Sequence, residues 1–325
     1  MWACSTLQVL ALGLATTMRL LISGASGLLG LNLALEAFGH HEVYGVVNRH
    51  SLRQAPFPVL QCDLTEDSPR QNLLERVAPD WVINCAALAD LEACEADPPL
   101  AKKLNTELPA KLARDVSKGG ARLLHISTDA VFDGLRGGYT EEDEPRPLSV
   151  YAQTKLAGER AVLEADPRAL VVRVNFYGWS LSGKRSLAEF FFNNLRVGKE
   201  TPGFIDVFFC PLLVNDLAQI LLIMIQMNLC GIYHVVAPQA ISKYEFGVEL
   251  ANAFGLNAGL VRPLSVNQAG LRAARSPNLT LSVAKLEKIL PQPLPSIRQG
   301  LQRFVALYRS GYPERLRSMG EDQTV

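Results

Sequence analysis

Tyr151 and Lys155 are the side chains whose types and spacing best suit acid–base chemistry in this sequence. They lie four residues apart in a stretch with helical character, so a phenol and an ammonium would share one helical face. A neighbouring cation favours the phenolate, and we therefore expect the pKa of Tyr151 to fall below its ordinary value of about 10. Such a group can protonate a carbonyl oxygen while a hydride reaches the carbon.

Two hydroxyl residues, Ser127 and Thr128, follow the apolar run from Leu123 to Ile126, which predicts a strand. Open α/β sheets bind ligands at the carboxyl ends of their strands, so either hydroxyl could hydrogen-bond the same carbonyl oxygen. An ordinary strand-end turn is the alternative for these two residues taken by themselves. The Tyr151 and Lys155 pair favours the catalytic interpretation.

A glycine-rich turn lies between the apolar run Arg19 to Ser23 and the amphipathic stretch Leu28 to Ala37. Such a turn bends tightly, brings backbone N–H groups close to a pyrophosphate, and lets the helix pack on the strand. A plain structural turn is the alternative. The predicted cofactor residues here are Gly24, Ser26, Gly27, Leu28, Leu29 and Gly30.

The end of the second strand should select the nucleotide. An NAD site places a carboxylate there, about 20 residues beyond the glycines, to bind the ribose hydroxyls. This sequence instead has Asn48 and Arg49, and Arg49 could hold a 2′-phosphate through charge-assisted hydrogen bonds. We therefore expect NADPH, with NADH as the alternative if Arg49 is only a solvated surface charge.

Two further strand ends complete the predicted cofactor site. Asp63 and Leu64 follow the third strand and would meet the adenine. Cys85, Ala86 and Ala87 follow the fourth strand, with small side chains where the cofactor must pass close by. Ordinary turns are the alternative at both places.

Strands alternating with helices from Met18 onward predict an α/β fold with a doubly wound parallel sheet of the Rossmann type and a smaller C-terminal substrate-binding lobe. Among the elements that we expect are one long helix from Leu100 to Ser117 and a strand that ends at Ile126. The expected division is an extension at 1–17, a dinucleotide-binding domain at 18–178 to which 205–238 returns, a substrate lobe at 179–204 and 239–310, and a tail at 311–325.

Composition narrows the classes of partner. The 325 residues carry 32 basic and 32 acidic side chains, so no net positive field exists to hold a nucleic acid or an anionic membrane. The six cysteines include no C-x-x-C pair, so we expect free thiols. We predict no metal site. The apolar stretch from Leu217 to Met227 is too short to span a bilayer. We expect a cytoplasmic protein with a small-molecule partner, and a homodimer is one option for its assembly.

The order of glycine turn, Ser-Thr and Tyr-x-x-x-Lys resembles the extended short-chain dehydrogenase/reductase superfamily over Met18 to about Arg309. More narrowly, the string STDAVFDG from Ser127 and the string YAQTKLAGE from Tyr151 are similar to segments of dTDP-4-dehydrorhamnose reductases. The run from Arg275 to Asn278 is similar to a third segment. Ala130 replaces the tyrosine usual in the first segment, and Ser276 replaces a proline in the third.

The resemblance implies roles for these residues. Tyr151 would donate the proton, Lys155 would bind the cofactor ribose and acidify the phenol, and Thr128 would complete the triad. Asn105 would support the site from the long helix, while Asn84, Ala86 and Ala87 would line the path of the nicotinamide. The predicted substrate contacts are Ser127, Thr128, Asn175 and Arg275.

The activity implied is the NADPH-dependent reduction of a nucleotide-linked 4-keto sugar. One alternative is a reductase or epimerase acting on another nucleotide sugar. A second is a non-catalytic, NADP-binding regulatory protein like the beta subunit of methionine adenosyltransferase, because that subunit is built on the same framework.

Overall fold

The structure is a computed structural model that describes residues 16–268 and 276–320. Its central strands are β1 (Arg19–Ser23), β2 (Glu42–Val47), β3 (Val59–Gln61), β4 (Trp81–Asn84), β5 (Arg122–Thr128), β6 (Leu170–Val174) and β11 (Gly231–Val235). Short strands pair outside this sheet: β7 (Phe176–Tyr177) with β10 (Leu212–Leu213), β8 (Thr201–Phe204) with β13 (Val261–Leu264), and β9 (Phe208–Phe209) with β12 (Ile241–Ser242).

The helices are α1 (Leu28–Ala37), α2 (Asp67–Val77), α3 (Leu91–Ala96), α4 (Pro98–Lys102), α5 (Leu108–Lys118), α6 (Val150–Ala165), α7 (Leu187–Leu195), α8 (Val214–Gln226), α9 (Lys243–Phe254), α10 (Ala284–Glu287), α11 (Ile297–Arg309) and α12 (Tyr312–Ser318). In the part of the chain that the structure describes, no helix is both long and apolar enough to cross a membrane.

The central sheet has the order β3-β2-β1-β4-β5-β6-β11, and all its neighbouring strands are parallel. Both faces are covered, because alternate residues of β1 enter different cores: Leu20 and Ile22 join one apolar cluster, and Leu21 joins the other. This arrangement confirms the predicted doubly wound Rossmann-type sheet. β11 lies beside β6, so the chain returns to the sheet after residue 205, while the division into two lobes stays a prediction.

The structure corrects two predicted elements close to the candidate site. The helix expected from Leu100 to Ser117 consists of α4, a π-helical turn at Lys103–Glu107, and α5. The strand expected to end at Ile126 continues to Thr128, so Ser127 and Thr128 belong to β5 and face opposite sides of the sheet.

Part of the predicted tail is the ordered helix α12. Leu316 is fully buried, and the backbone N–H of Arg53 donates to the carbonyl oxygen of Met319 at 2.9 Å. The hydroxyl of Tyr312 donates to Asn32 Oδ1 on α1 at 2.8 Å. This helix therefore braces both α1 and the loop that follows β2.

Candidate active site

The glycine turn joins β1 to α1 at the carboxyl edge of the sheet. Gly24 has φ +65°, and a Cβ there would lie 3.0 Å from the backbone of Ala86 after β4. A Cβ on Gly30 would lie 2.8 Å from the carbonyl carbon of Gly24 and closer still to its oxygen. Gly27 is the N-cap of α1, and no side chain of the described residues caps that end. The turn therefore leaves backbone N–H groups available to an anion.

The ends of β2 and β3 place the predicted nucleotide-selecting residues together. Asn48 and Arg49 are exposed. The carboxylate of Asp63 accepts hydrogen bonds from the hydroxyl and the backbone N–H of Thr65, at 2.6 and 2.9 Å. Those bonds, with one from Asn48, lower the pKa of Asp63. Leu64 is buried in the core, so only its backbone is close to this surface.

The end of β4 lies directly against the glycine turn. Asn84 Oδ1 accepts a hydrogen bond from Ser23 at 2.7 Å, and Ser23 in turn accepts from the backbone of Ala86 at 3.3 Å. Cys85 and Ala86 are half-buried and Ala87 is exposed, as side chains along a cofactor path would be. Burial raises the pKa of the Cys85 thiol to about 12, so this group is uncharged at neutral pH.

Tyr151 and Thr128 meet where α6 begins beside the end of β5. Ser149 caps α6 by accepting from the backbone N–H of Ala152 at 3.3 Å, which places Tyr151 in the first turn. Burial raises the pKa of Tyr151 to about 12, although a hydrogen bond with Thr128 opposes that rise. Our prediction of a lowered pKa is therefore wrong, because desolvation is the largest influence and Lys155 is not among the groups that act on this phenol. Tyr151 carries its proton at neutral pH, which is the form that a proton donor needs.

Lys155 is buried one helical turn beyond Tyr151 on α6. Its ammonium donates to the carbonyl oxygen of Ile126 at 2.5 Å and lies 3.5 Å from Nε2 of His125. Burial lowers the pKa of Lys155 to about 8, while the carboxylate of Glu159 raises it. Lys155 is thus bound to the strand that carries Thr128 and lies close to its titration point at neutral pH.

Ser127 and Thr128 separate across β5. The hydroxyl of Ser127 donates to Glu159 Oε1 at 2.5 Å, in the buried layer between β5 and α6. Thr128 instead faces Tyr151 and donates to Asp129 Oδ1 at 3.1 Å. The structure therefore brings Thr128 to the candidate site, and Ser127 serves the interior of the fold rather than the substrate side that we predicted.

Asp129 is a buried carboxylate that the sequence analysis did not select. Asn175, a predicted substrate contact, donates from Nδ2 to Asp129 Oδ2 at 2.6 Å. Burial raises the pKa of Asp129 to about 6. Its position directly after Ser-Thr at a strand end was the signal that could have identified it. The side-chain amide of Asn175 is therefore hydrogen-bonded to the carboxylate of Asp129, the residue that follows Thr128.

Asn105 lies in the π-helical turn and is fully buried. It accepts from the backbone N–H of Leu88 at 2.9 Å and donates to the Leu88 oxygen at 3.0 Å and to Thr154 Oγ1 at 3.2 Å. Gly158 on α6 makes room, because a Cβ there would collide with the carbonyl of Asn105. The turn joins the segment after β4 to the helix that carries Tyr151, and such π-turns are frequent at functional sites.

Arg275, a predicted substrate contact, lies outside the described residues. The segment that follows it packs against the loop after β5: the hydroxyl of Ser276 donates to the Phe132 oxygen at 3.2 Å, and the N–H of Asn278 donates to the Gly134 oxygen at 3.0 Å. Within residues 16–268 and 276–320, no group of three potential metal ligands comes together.

Comparison with known proteins places this site in a family. A family model described as the RmlD substrate binding domain matches residues 18–310. The chain belongs to the RmlD family. This membership confirms the resemblance to the dTDP-4-dehydrorhamnose reductase branch of the extended short-chain dehydrogenase/reductase superfamily.

Several known proteins are similar to this chain over most of its length. The dTDP-4-dehydrorhamnose reductase of Mycobacterium tuberculosis is 34% identical over 81% of this chain and 84% of its own. The probable low-salt glycan biosynthesis reductase Agl14 of Haloferax volcanii is 31% identical over 88% and 97%. The beta subunit of methionine adenosyltransferase 2 of Danio rerio is 32% identical over 83% and 84%.

A solved structure of a similar protein has the same fold. The dTDP-4-dehydrorhamnose reductase of Bacillus anthracis, in complex with NADP, superposes with a TM-score of 0.78 at 27% identity, over 90% of this chain and 99% of that one.

Proposed function

We propose that this chain is an NADPH-dependent reductase of a 4-keto sugar carried on a nucleotide, of the dTDP-4-dehydrorhamnose reductase type. The observation that carries the proposal is the contact of Tyr151 with Thr128 at the sheet edge that also holds the glycine turn, with Lys155 one helical turn further along α6 and hydrogen-bonded to β5. The reductase names of two relatives and the NADP bound to a family structure support it.

The residues present fit a dinucleotide. A Cβ at Gly24 or Gly30 would press on the backbone of Ala86 or of Gly24, so the turn keeps its tight shape only with glycine, and the open end of α1 offers N–H groups to a pyrophosphate. Bound NADPH would supply a hydride to the ketone carbon. Tyr151 would give its proton to the ketone oxygen, and Thr128 would hydrogen-bond that oxygen and orient it. Lys155 would bind the ribose and stabilise negative charge as the phenol loses its proton.

The choice of cofactor can be tested at Arg49. Replacing Arg49 with alanine is expected to weaken NADPH binding by roughly 10- to 100-fold, since a charge-assisted hydrogen bond contributes about 1.5–3 kcal/mol. NADH binding should not change, because NADH lacks the 2′-phosphate. Fluorescence titration measures both constants. Arg298→Ala, which removes an exposed arginine on α11, is the control. Equal effects on NADPH and NADH would contradict the assignment.

A turnover assay tests the reaction. Purified protein with NADPH and dTDP-4-dehydrorhamnose should consume NADPH, as followed by its absorbance. Turnover only of a different nucleotide-linked keto sugar would keep the reductase and change the substrate.

The second candidate is a non-catalytic NADP-binding subunit. Its support is the 32% identity to the beta subunit of methionine adenosyltransferase 2, close to the identity with the reductases. Tight NADPH binding without turnover on a panel of nucleotide-linked 4-keto sugars would favour this candidate over the reductase.

A further inference from the structure

Glu159 forms a buried ion pair one helical turn beyond Lys155. Its carboxylate accepts from Arg173 Nη2 at 2.8 Å and from Arg173 Nε at 3.0 Å, and both residues are at most 2% exposed. Ser127 on β5 donates to the same carboxylate at 2.5 Å. Glu159 therefore joins α6, which carries Tyr151 and Lys155, to β5, which carries Thr128, and to β6.

The network continues to β11 and satisfies Arg173 on a second side. Arg173 Nη1 lies 3.5 Å from Nε2 of His234, and Nδ1 of that ring lies 3.2 Å from the Ser282 oxygen. Burial lowers the pKa of His234 to about 3, so the ring is neutral, donates from Nδ1 and accepts at Nε2. The guanidinium also lies over the ring of Phe132, 5.1 Å from its centroid.

Stability alone does not account for a pair of this kind. Desolvating two charges offsets most of their attraction, and replacing such a pair with well-packed apolar residues is often neutral or stabilising. A connected polar network instead fixes the relative placement of the elements that it joins. Here those elements are the strand and the helix that carry the Thr128, Tyr151 and Lys155 triad.

We propose that Glu159 is a positioning residue for the reaction: it holds β5 against α6 through Ser127, and it places a buried carboxylate one helical turn from the ammonium of Lys155. This inference deepens the proposed function and rests on it. Glu159 contacts neither Tyr151 nor the expected place of the substrate, and it acts through Lys155 and Ser127.

The groups around Lys155 determine whether its pKa rises or falls when Glu159 is replaced. His125 and the Ile126 oxygen on β5, Cys85 after β4, and Glu159 on its own helix face the ammonium. Burial keeps His125 and Cys85 neutral, so Glu159 supplies the negative charge among these groups. The ammonium form is lost as the pH rises through the pKa of Lys155. Removing the charge of Glu159 lowers that pKa and moves the alkaline loss of activity to lower pH.

The test removes both charges of the pair together. Glu159→Gln alone would leave Arg173 buried and unpaired, which risks unfolding, so the variant is Glu159→Gln with Arg173→Gln. Glu159, and not Arg173, is among the groups that act on Lys155, so the loss of the carboxylate sets the sign of the shift. We expect the alkaline limb of the kcat/KM profile for keto-sugar reduction to move down, by at most about one pH unit. Glu159→Asp keeps the charge, so it should leave the limb in place even if the rate falls.

A second ion pair provides the matched control. Arg303 on α11 pairs with Asp216 on α8 at 2.5 Å and with Glu36 on α1 at 3.0 Å, and none of the three is among the groups that act on Lys155. Arg303→Gln with Asp216→Asn should leave the alkaline limb unmoved. The proposal is overturned if the Glu159 and Arg173 variant is folded and keeps the wild-type limb, or if the control shifts the limb equally.

A second readout separates this inference from the proposed function. The NADPH dissociation constant, measured against pH, depends on the charge of Lys155 and needs no sugar. If the wild-type protein reduces no keto sugar, the proposed function fails, and the same downward shift in the binding profile still supports the role of Glu159. An unchanged binding profile in the double variant contradicts that role.

Discussion

Replacing Tyr151 with phenylalanine is expected to lower the kcat of keto-sugar reduction by about 10³-fold, within the usual range for loss of a general acid. The substitution removes only the hydroxyl that faces Thr128 and would carry the transferred proton. NADPH affinity should stay within about twofold, because Lys155 and the glycine turn are untouched. Single-turnover oxidation of bound NADPH measures the chemical step directly.

Tyr233→Phe provides the control for the Tyr151 variant. Tyr233 is a half-buried tyrosine on β11, and its contact with Lys285 uses the ring face rather than the hydroxyl. This variant should keep wild-type turnover. If Tyr151→Phe retained more than a tenth of the wild-type rate, Tyr151 could not be the proton donor.

Gly30→Ala is expected to give the largest loss in the cofactor site. The added methyl would lie 2.8 Å from the Gly24 carbonyl carbon, and backbone on both sides cannot move aside as a flexible side chain can. We expect unfolding to become easier by about 3 kcal/mol, the upper range for overpacking, and NADPH binding to weaken more than tenfold. Urea unfolding and NADPH titration measure the two effects.

Gly119→Ala is the matched control for Gly30→Ala. Gly119 ends α5 with an ordinary backbone conformation, and a methyl there would meet its nearest neighbours at 3.7 Å, a normal contact distance. The control should change the free energy of unfolding by less than about 1 kcal/mol. Equal losses in the two variants would show that close packing at the turn is not the cause.

Local chemistry explains why the sheet and the turn were predictable. The glycines of the turn are dictated by backbone contacts, so their spacing is visible in the sequence. The pKa of Tyr151 was predicted in the wrong direction because desolvation depends on what packs around the phenol. The sequence did not distinguish Ser127 from Thr128, because we expected the strand to end at Ile126, two residues too early. Only within a strand do successive side chains point to opposite faces of the sheet.

Pairings between distant elements were the least predictable part of the site. Glu159 and Arg173 are charged residues that would be assigned to the surface by type, yet both are buried against each other. The sequence predicts regular helix around Asn105. A π-helical turn contains one extra residue, and the spacing of apolar residues does not reveal it. Both features depend on the assembled sheet rather than on local spacing.

The brace formed by α12 has a consequence for how the protein is made. Tyr312 holds Asn32 on α1 across 280 residues of chain, and Met319 holds the loop after β2. The glycine turn leaves the ribosome well before this brace does, because 280 residues separate Asn32 from Tyr312. The nucleotide cradle is therefore held in its final shape only after residues 312–319 have been synthesised.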